Sequence, residues 1–353
     1  MKKIYLLLLL FPLLVVAQPK AGYYDAAVGK SDAALRTSLK SIITNGHSVI
    51  NYSDLYTAYG TTDINPVTGK IWDMYSNCNF TFSKDENHSG GNPSECTNYN
   101  REHTTPQSWF GGAPPMYSDL FNVYPSDTKV NSERGNYPYG EVASVTYISG
   151  NGSKRGSSSF SGYSGIVFEP IDEFKGDFAR TYMYMATCYA GLCEKWTGEG
   201  TTVYSSSNLG FTSYAVALFL KWSRQDPVSS KETNRNNAVE TIQKNRNPFI
   251  DHPELAEYIW GVKKGTPWSL TSGVDALKVE FSISPNPTQD VLNISTDVQN
   301  ITCSVFNLNG QLLIQEKFNN SGILSVATLD NGMYLIQIQS GNKKSIQKFI
   351  VNK

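Results

Sequence analysis

The residues best suited to chemistry lie in the short segment Arg101-Glu102-His103. A carboxylate such as Glu102 binds hard divalent cations through oxygen, and a neutral imidazole such as His103 can take a proton from water near neutral pH. Because Pro106 follows, the pair is expected in an extended segment or a turn and not inside a helix. A cation-bound oxyanion beside a water-activating base is the minimum needed to hydrolyse a phosphodiester. The alternative is an exposed Arg–Glu ion pair beside a half-buried histidine, and both are common on protein surfaces.

The amino terminus has the pattern of a secretory signal peptide over residues 1–17. Lys2 and Lys3 precede an apolar run over residues 4–16, and Ala17 closes it with a small side chain. The run is too short to span a bilayer comfortably, and cleavage is predicted after Ala17. We therefore expect a soluble protein without stable membrane insertion, either extracellular or associated with the cell surface.

The overall charge does not favour binding to a polyanion. The chain has 30 Lys and Arg against 31 Asp and Glu, a net charge of −1, and loss of the two signal-peptide lysines lowers it to −3. Any contact with nucleic acid must therefore come from a local basic cluster. The candidates for such a phosphate-binding strip are Lys129, Arg134, Lys154, Arg155 and Arg180.

Five cysteines remain after the signal peptide, and export makes disulfides possible. Four of them lie in the larger region, and Cys78–Cys96 with Cys188–Cys193 is the simplest of the three pairings. Cys303 is the odd one out. None of the spacings resembles a zinc site, because no histidine lies near Cys188 and Cys193.

The elements that must position Glu102 and His103 are predicted to be mainly helical. Ser126 is a candidate cap for a short helix that carries Asn131 and stops at Gly135. Phe174, Phe178 and the later aromatic residues of one helix recur at helical spacing, which predicts a core stripe. Further helices are predicted over residues 25–43, 53–59, 172–189, 209–224, 232–244 and in a short segment ending at residue 260, with strands over 71–75 and 166–170.

The pattern changes near the carboxyl terminus. Residues 263–278 have the composition of a linker, and from residue 279 short alternating strands follow one another, with turn signals at Asn309-Gly310 and Asn331-Gly332. This pattern predicts a small all-β sandwich over residues 279–353. At 353 residues the chain is long enough for two domains, so the fold class expected is α+β and mainly helical over residues 18–262, followed by the sandwich.

A set of short motifs in the first region resembles the endonuclease I family of secreted, nonspecific, metal-dependent nucleases. The likeness covers roughly residues 22–260, and it depends on the order of the motifs, since each is weak alone. The motifs are Asn100-Arg-Glu-His103, Pro106-Gln-Ser108, Asp119-Leu120, Pro125, Lys129-Val-Asn131-Ser-Glu-Arg134, Asn136, Asp172-Glu-Phe-Lys-Gly-Asp177, Ala179-Arg180 and Asn245-Arg-Asn-Pro-Phe-Ile-Asp-His-Pro253.

The resemblance implies a ββα-metal motif and a role for each matching residue. His103 is implied as the general base, Glu102 and Asn131 as ligands of one Mg²⁺, with Mn²⁺ and Ca²⁺ as other candidate ions, and Arg180 as an arginine near the phosphate. The substrate-binding candidates are Arg101, Lys129 and Arg134. The chain departs from the family pattern at Phe121, where members often carry histidine, which puts a polar supporting role there in doubt.

The second region resembles the C-terminal sorting domain of the type IX secretion pathway. The matching features are Ser284-Pro-Asn-Pro287, Asn331-Gly-Met-Tyr334-Leu and the basic tail with Lys343, Lys344 and Lys348. The resemblance implies the type IX secretion machinery as a partner and removal of the domain during export.

The combined prediction is a secreted, Mg²⁺-dependent, nonspecific endonuclease acting as a monomer on DNA, with RNA as a second candidate substrate. Two alternatives stay open on the residues alone. One is a binding module for carbohydrate or protein, in which the tyrosines and tryptophans form a stacking surface. The other is a different metal-dependent phosphohydrolase. A metalloprotease is poorly supported because the sequence has no His-Glu-x-x-His.

Overall fold

The structure is a computed structural model that describes residues 19–91, 94–270, 279–307, 311–341 and 343–353. The predicted signal peptide, residues 271–278 of the predicted linker and the Asn309-Gly310 turn lie outside these ranges. The chain divides between Ser269 and Leu270 into two compact units. Within the described ranges, no helix is long and apolar enough to cross a membrane.

The first unit is a mixed α/β domain dominated by helices. Its described helices are α1 (Asp32–Thr44), α2 (Asp54–Thr62), α3 (Thr128–Arg134), α4 (Asp172–Cys188), α5 (Gly200–Val203), α6 (Ser213–Gln225), α7 (Ser230–Gln243), α8 (Pro248–Asp251) and α9 (Leu255–Ile259). Its strands are β1 (Tyr99–His103), β2 (Val123–Asp127), β3 (Val142–Ile148), β4 (Lys154–Ser158), β5 (Ile166–Glu169), β6 (Tyr204–Ser205) and β7 (Gly210–Phe211). They form the antiparallel sheets β1-β2, β3-β4-β5 and β6-β7.

Helix α4 is the centre of the first unit. Every residue from Phe174 to Cys188 is buried, so the helix is enclosed on all sides and not only along one stripe. The predicted core residues Phe174 and Phe178 are among them, which confirms that this aromatic pattern is core packing. Helix α6 packs against α4, and Trp222 on α6 is fully buried.

Strands β1 and β2 and helix α3 pack together as one local motif. The two strands pair antiparallel, with Glu102 opposite Tyr124, and β2 leads directly into α3. The predicted cap was wrong by one residue: Asp127 Oδ1 accepts from the backbone N–H of Val130 (2.9 Å), while Ser126 still belongs to β2. Helix α3 ends at Gly135 as predicted, with φ +56° and ψ −135°, a conformation open mainly to glycine.

Two other local predictions differ from the structure. Residues 71–75 form a loop with an isolated bridge at Ile71, because the N–H of Trp72 donates to Asp63 and that of Tyr75 donates to the Asp73 carboxylate (2.8 Å). The Cys78–Cys96 disulfide is confirmed. The second pairing was wrong: the thiols of Cys188 and Cys193 are free and buried. Cys188 contacts tyrosine hydroxyls at the end of α4, whereas the Cys193 sulfur faces Arg36 and Glu194.

The first part of the predicted linker packs onto the first unit. Trp268 is 1% exposed, its N–H donates to the carbonyl of Lys30 (2.8 Å), and its own carbonyl accepts from Gly29 (2.7 Å). The described residues up to Ser269 therefore extend the first unit beyond residue 262.

The second unit consists mainly of β-strands around one core. The strands are β8 (Ser282–Ser284), β9 (Val291–Ser295), β10 (Ile301–Phe306), β11 (Leu312–Phe318), β12 (Gly322–Ser325), β13 (Gly332–Ser340) and β14 (Lys343–Val351). Two antiparallel sheets, β11-β10-β13-β14 and β12-β9-β8, share a core to which alternate residues such as Leu292 and Ile336 contribute. Asn331-Gly332 begins β13 after the crossover from the other sheet, so it is not the hairpin turn predicted.

Candidate active site

Glu102 lies on the face of β1 that packs against α3. Alternate residues of a strand share a face, and residues three apart on a helix share a side. Asn131 Nδ2 donates to Asn100 Oδ1 (2.7 Å), and Arg134 Nε lies 3.3 Å from Glu102 Oε1. These are two neighbouring side-chain contacts between β1 and α3. Glu102 and Asn131, which are far apart in the sequence, therefore lie on one shared face.

Arg101 and His103 face the other side of β1. The Arg101 guanidinium carbon lies 3.8 Å from the centre of the Tyr52 ring, and the His103 ring stacks on the same tyrosine at 5.8 Å. Tyr117 completes the cluster, 5.2 Å from His103 and 4.1 Å from Tyr52 between ring centres. The carboxylate and the imidazole are consecutive in the chain but project from opposite faces of the strand.

The carboxylate of Glu102 is buried, and within the described part of the chain Arg134 is the one cation close to it. The residue is 4% exposed, and its Oε1 accepts from the Tyr75 hydroxyl (3.1 Å) and faces Arg134. Burial raises the pKa of Glu102 to about 7, and Asp73 raises it further, while Arg134 and the Tyr75 hydroxyl act to lower it. Oε2 has no hydrogen-bond partner among the described residues. The charged form of this carboxylate is therefore poorly stabilised, and a bound cation would stabilise it.

The hydrogen bond of His103 determines which ring nitrogen can act as a base. Nε2 lies 2.9 Å from the carbonyl oxygen of Tyr117, and since a carbonyl only accepts, Nε2 carries the proton and Nδ1 keeps its lone pair. Burial lowers the pKa of His103 to about 4; the Tyr117 carbonyl opposes this, and the charges of Arg134 and Arg101 add to it. The imidazole is therefore neutral at pH 7.

Arg134 joins the end of β1 to α3 and is not exposed. It is 1% exposed and donates to the backbone carbonyls of His103 (3.2 Å), Gly135 (3.1 Å) and Thr104. Its guanidinium is enclosed by main chain and by Glu102, which differs from the exposed phosphate contact expected from the sequence. In this position Arg134 is the counter-charge of Glu102.

Lys129 and Arg155 meet at one carboxylate beside the candidate site. Lys129 Nζ lies 2.6 Å from Glu133 Oε1, and Arg155 Nη1 lies 2.6 Å from Glu133 Oε2. Lys129 and Glu133 are on α3, the helix that carries Asn131. Lys154, the neighbour of Arg155 in β4, instead faces Glu169 at 4.0 Å. Of the five residues of the expected basic strip, Lys129 and Arg155 therefore share one carboxylate, while Lys154 faces another.

Arg180 lies in α4 and has no solvent exposure. Its Nη2 donates to Glu232 Oε2 (2.7 Å) and its Nη1 to the carbonyl of Asp226 (2.8 Å). Among the described residues it makes no contact with Glu102 or His103. A role for Arg180 near a phosphate stays a prediction.

Three tyrosines of the site, Tyr52, Tyr75 and Tyr117, were not predicted from the sequence. Tyr75 lies in a segment predicted as a strand, and nothing nearby distinguishes it among 21 tyrosines. Tyr117 contributes a backbone carbonyl as well as its ring, and a backbone contact leaves no sequence signal. Phe121, the departure from the family pattern, is fully buried against Tyr184 at 4.7 Å between ring centres.

The acidic and amide donors of this site are few. Within the described part of the chain, no group of three or more His, Cys, Asp or Glu residues is arranged to hold a metal ion. Glu102 with Asn131 is a sparser set of oxygen donors. Such a set suits Mg²⁺, which keeps several waters and binds through one or two protein oxygens.

Comparison with known proteins gives the family of both regions. Residues 31–254 match the family described as Endonuclease I, and residues 282–352 match the family described as Secretion system C-terminal sorting domain. An extracellular ribonuclease of Bacillus amyloliquefaciens is 36% identical over 249 residues, which is 67% of this chain and 78% of that protein. An extracellular ribonuclease of Bacillus subtilis (strain 168) is 35% identical over 250 residues, with the same coverage of each chain.

A deoxyribonuclease is also similar, at lower identity. The extracellular deoxyribonuclease of Aeromonas hydrophila is 26% identical over 136 residues, 38% of this chain and 50% of that protein. The Endonuclease I match spans most of the first unit, including β1, β2 and α3. The chain therefore belongs to the endonuclease I family, and it is a secreted nuclease that carries a C-terminal secretion sorting domain.

Proposed function

We propose that the first unit is a metal-dependent endonuclease that hydrolyses both DNA and RNA, with His103 as the general base and with Glu102 and Asn131 as the protein ligands of a divalent cation. The observation that carries this proposal is the pair of contacts between β1 and α3, Asn131 with Asn100 and Arg134 with Glu102. Because of these contacts the Glu102 carboxylate and the Asn131 amide lie on one face. In these terms β1, β2 and α3 constitute a ββα-metal motif.

The donors at this face fit a cation such as Mg²⁺. Glu102 Oε2 and Asn131 Oδ1 have no hydrogen-bond partner among the described residues, because Arg134 and Tyr75 engage Oε1 and Asn100 engages the amide nitrogen. When bound, the cation supplies charge stabilisation for the phosphate oxygens and the leaving 3′-oxygen. Mn²⁺ and Ca²⁺ have the same preference for oxygen ligands and are alternatives in the same place.

His103 is proposed to take a proton from the attacking water at Nδ1. The Tyr117 carbonyl holds the proton on Nε2, and the lowered pKa of His103 keeps the ring neutral at pH 7. Glu102 and His103 are the last two residues of β1 and project from its two faces, so the proposal requires a phosphodiester that lies across the end of this strand. Attack of water with departure of the 3′-oxygen gives a 5′-phosphate and a 3′-hydroxyl.

This chemistry does not require the 2′-hydroxyl of RNA, because water is the nucleophile. We therefore expect DNA and RNA to be cleaved by the same residues. Two ribonucleases and a deoxyribonuclease among the similar proteins support this breadth. The proposed use is degradation of extracellular nucleic acid. Export would take place through the type IX machinery, for which the second unit is the sorting domain.

The proposal is tested by digesting a plasmid and an RNA of matching sequence with the purified protein, in Mg²⁺ and in EDTA. We expect chelator-sensitive cleavage of both, with 5′-phosphate ends and no 2′,3′-cyclic phosphate. His103→Ala should lower the rate by about 10²- to 10⁴-fold without unfolding the protein. His47→Ala removes a histidine that lies outside the site and should leave the rate unchanged. Cleavage that persists in EDTA, or in both His103→Ala and Glu102→Ala, would overturn the proposal.

A further inference from the structure

Tyr75 donates a hydrogen bond to the proposed metal ligand from a segment that belongs to neither β1 nor α3. Its hydroxyl lies 3.1 Å from Glu102 Oε1, and the residue is 1% exposed. Its ring packs between Phe168 (4.8 Å) and Phe178 (5.3 Å, between ring centres). The ring is therefore held by apolar contacts, while the hydroxyl reaches the carboxylate.

A second tyrosine fixes the direction of this hydrogen bond. The hydroxyl of Tyr139 contacts the hydroxyl of Tyr75, and each phenol has a single proton. An ionised Glu102 can only accept, so Tyr75 donates to Glu102 and Tyr139 donates to Tyr75. Tyr75 and Arg134 both contact Glu102 Oε1, and Tyr139 supports this arrangement through the Tyr75 hydroxyl and through its ring, whose centre lies 5.1 Å from the Arg134 guanidinium carbon.

The loop that carries Tyr75 is tied to the start of α3. Asp73 Oδ1 accepts from the N–H of Tyr75 (2.8 Å), and Asp73 Oδ2 accepts from the N–H of Asp127 (2.9 Å). Asp127 in turn caps α3 through Val130, and α3 carries Asn131. One carboxylate thus links the residue that orients Glu102 to the helix that carries the other proposed ligand.

We infer that Tyr75 is a positioning residue for metal binding: it holds Glu102 Oε1, together with Arg134, so that Oε2 is the oxygen left for the cation. This inference depends on the proposed function, because it assumes that Glu102 is a metal ligand. Hydrogen bonds to the ligands of a metal commonly orient those ligands, and their loss typically weakens metal binding about 10- to 100-fold.

The test is Mn²⁺ binding to the full-length protein, measured by electron paramagnetic resonance of the free ion, for wild type and for Tyr75→Phe. The substitution removes one hydroxyl and keeps the ring between Phe168 and Phe178. We expect the dissociation constant for Mn²⁺ to rise about tenfold or more. At saturating Mn²⁺ the kcat should stay within about threefold of wild type, because the variant reaches the same bound state.

Two control variants separate positioning from a general loss of a buried hydroxyl. Tyr24→Phe removes another buried tyrosine hydroxyl that donates to a carboxylate, Asp251 Oδ2 (2.6 Å), and it should leave Mn²⁺ affinity unchanged. Tyr139→Phe leaves the Tyr75 hydroxyl free to donate to Glu102, so its loss of affinity should be smaller than that of Tyr75→Phe.

The outcomes distinguish the inference from the proposed function. If Tyr75→Phe binds Mn²⁺ as wild type does while Glu102→Gln loses binding, the positioning role of Tyr75 is overturned and the metal site stands. A loss of kcat in Tyr75→Phe at saturating Mn²⁺, with the same loss in Tyr24→Phe, would also overturn it, since that pattern is general structural damage. If Glu102→Gln retains Mn²⁺ affinity, the proposed metal site fails, and the inference fails with it.

Discussion

Proton competition at Glu102 should control cation binding near neutral pH. Because burial raises the pKa of Glu102 to about 7, the carboxyl is mostly protonated below this value and mostly ionised above it. Only the ionised form binds a cation, so binding strengthens as the pH rises through 7 and weakens as it falls. The imidazole of His103, whose pKa is lowered to about 4, stays neutral across this range and does not contribute.

The size of the effect follows from the pKa of about 7. At about pH 5.5 protonation of Glu102 weakens the apparent affinity by about 30-fold, whereas at about pH 8 the weakening is negligible. Each bound ion should displace close to one proton at about pH 5.5, about half a proton at pH 7 and almost none at about pH 8. A carboxyl with an ordinary pKa near 4.3 would release almost none at any of these values.

Isothermal titration calorimetry with Mn²⁺ or Mg²⁺, in pairs of buffers with different ionisation enthalpies, measures the affinity and the number of protons released together. In nuclease assays, the rise of activity near pH 7 at limiting Mg²⁺ should move to lower pH as Mg²⁺ is raised. Glu232→Gln is the matched control for a buried carboxyl outside the proposed cation site. Burial also raises the pKa of Glu232, but the partner of this carboxylate is Arg180. Cation binding without proton release between about pH 5.5 and 7, or an activity profile that does not move with Mg²⁺, would refute the reasoning.

Substitutions at three further positions, Asp127, Arg180 and Lys129, test other parts of the structure. Asp127→Ala removes the cap of α3 and should lower the free energy of unfolding, measured by urea denaturation, by about 1–2 kcal/mol. Asp127→Asn can still cap the helix and should keep most of the wild-type stability. Arg180→Met leaves the buried Glu232 carboxylate without its cationic partner and should lower the free energy of unfolding by about 3–5 kcal/mol. The Arg180→Met/Glu232→Met double variant should recover much of this stability and keep the wild-type kcat. Lys129→Ala should raise KM for DNA and reduce the slope of log affinity against log salt by about one.

Each of these variants has an outcome that would contradict its rationale. An Asp127→Asn variant as unstable as Asp127→Ala would mean that the cap is not the source of the stability. A stable but inactive Arg180 double variant would favour the phosphate role implied by the family. An unchanged salt dependence in Lys129→Ala would remove Lys129 from the nucleic-acid interface, and Lys221→Ala, whose partner is Glu141, serves there as the charge-matched control.

Local and short-range features of the fold could be predicted from the sequence. The stop at Gly135, the central helix with its buried Phe178 and the Cys78–Cys96 disulfide are each specified within a few residues or one short loop. The pairing of Cys188 with Cys193 could not be judged in this way. Proximity in the sequence favours it, but the tertiary surroundings orient the two thiols toward different partners.

The faces and partners of the site residues depend on contacts that are distant in the sequence. Arg134 has the charged side chain expected of a phosphate contact, yet packing of α3 against β1 buries it beside Glu102. Tyr75 reaches the same carboxylate from a loop that precedes the disulfide. Side-chain alternation in β1 then sends His103 to the opposite face, against Tyr117.

The sequence by itself determined which chemical groups this protein has available: a carboxylate and an imidazole side by side, an amide further along, and the order of motifs that marks the family. Only the tertiary structure decided the state of those groups. It buries Glu102 and raises its pKa, it places the His103 proton on Nε2, and it brings Tyr75, Arg134 and Asn131 to the strand. The reason is physical: a pKa and a hydrogen-bond direction depend on burial and on neighbours in space, and these neighbours come from separate parts of the chain.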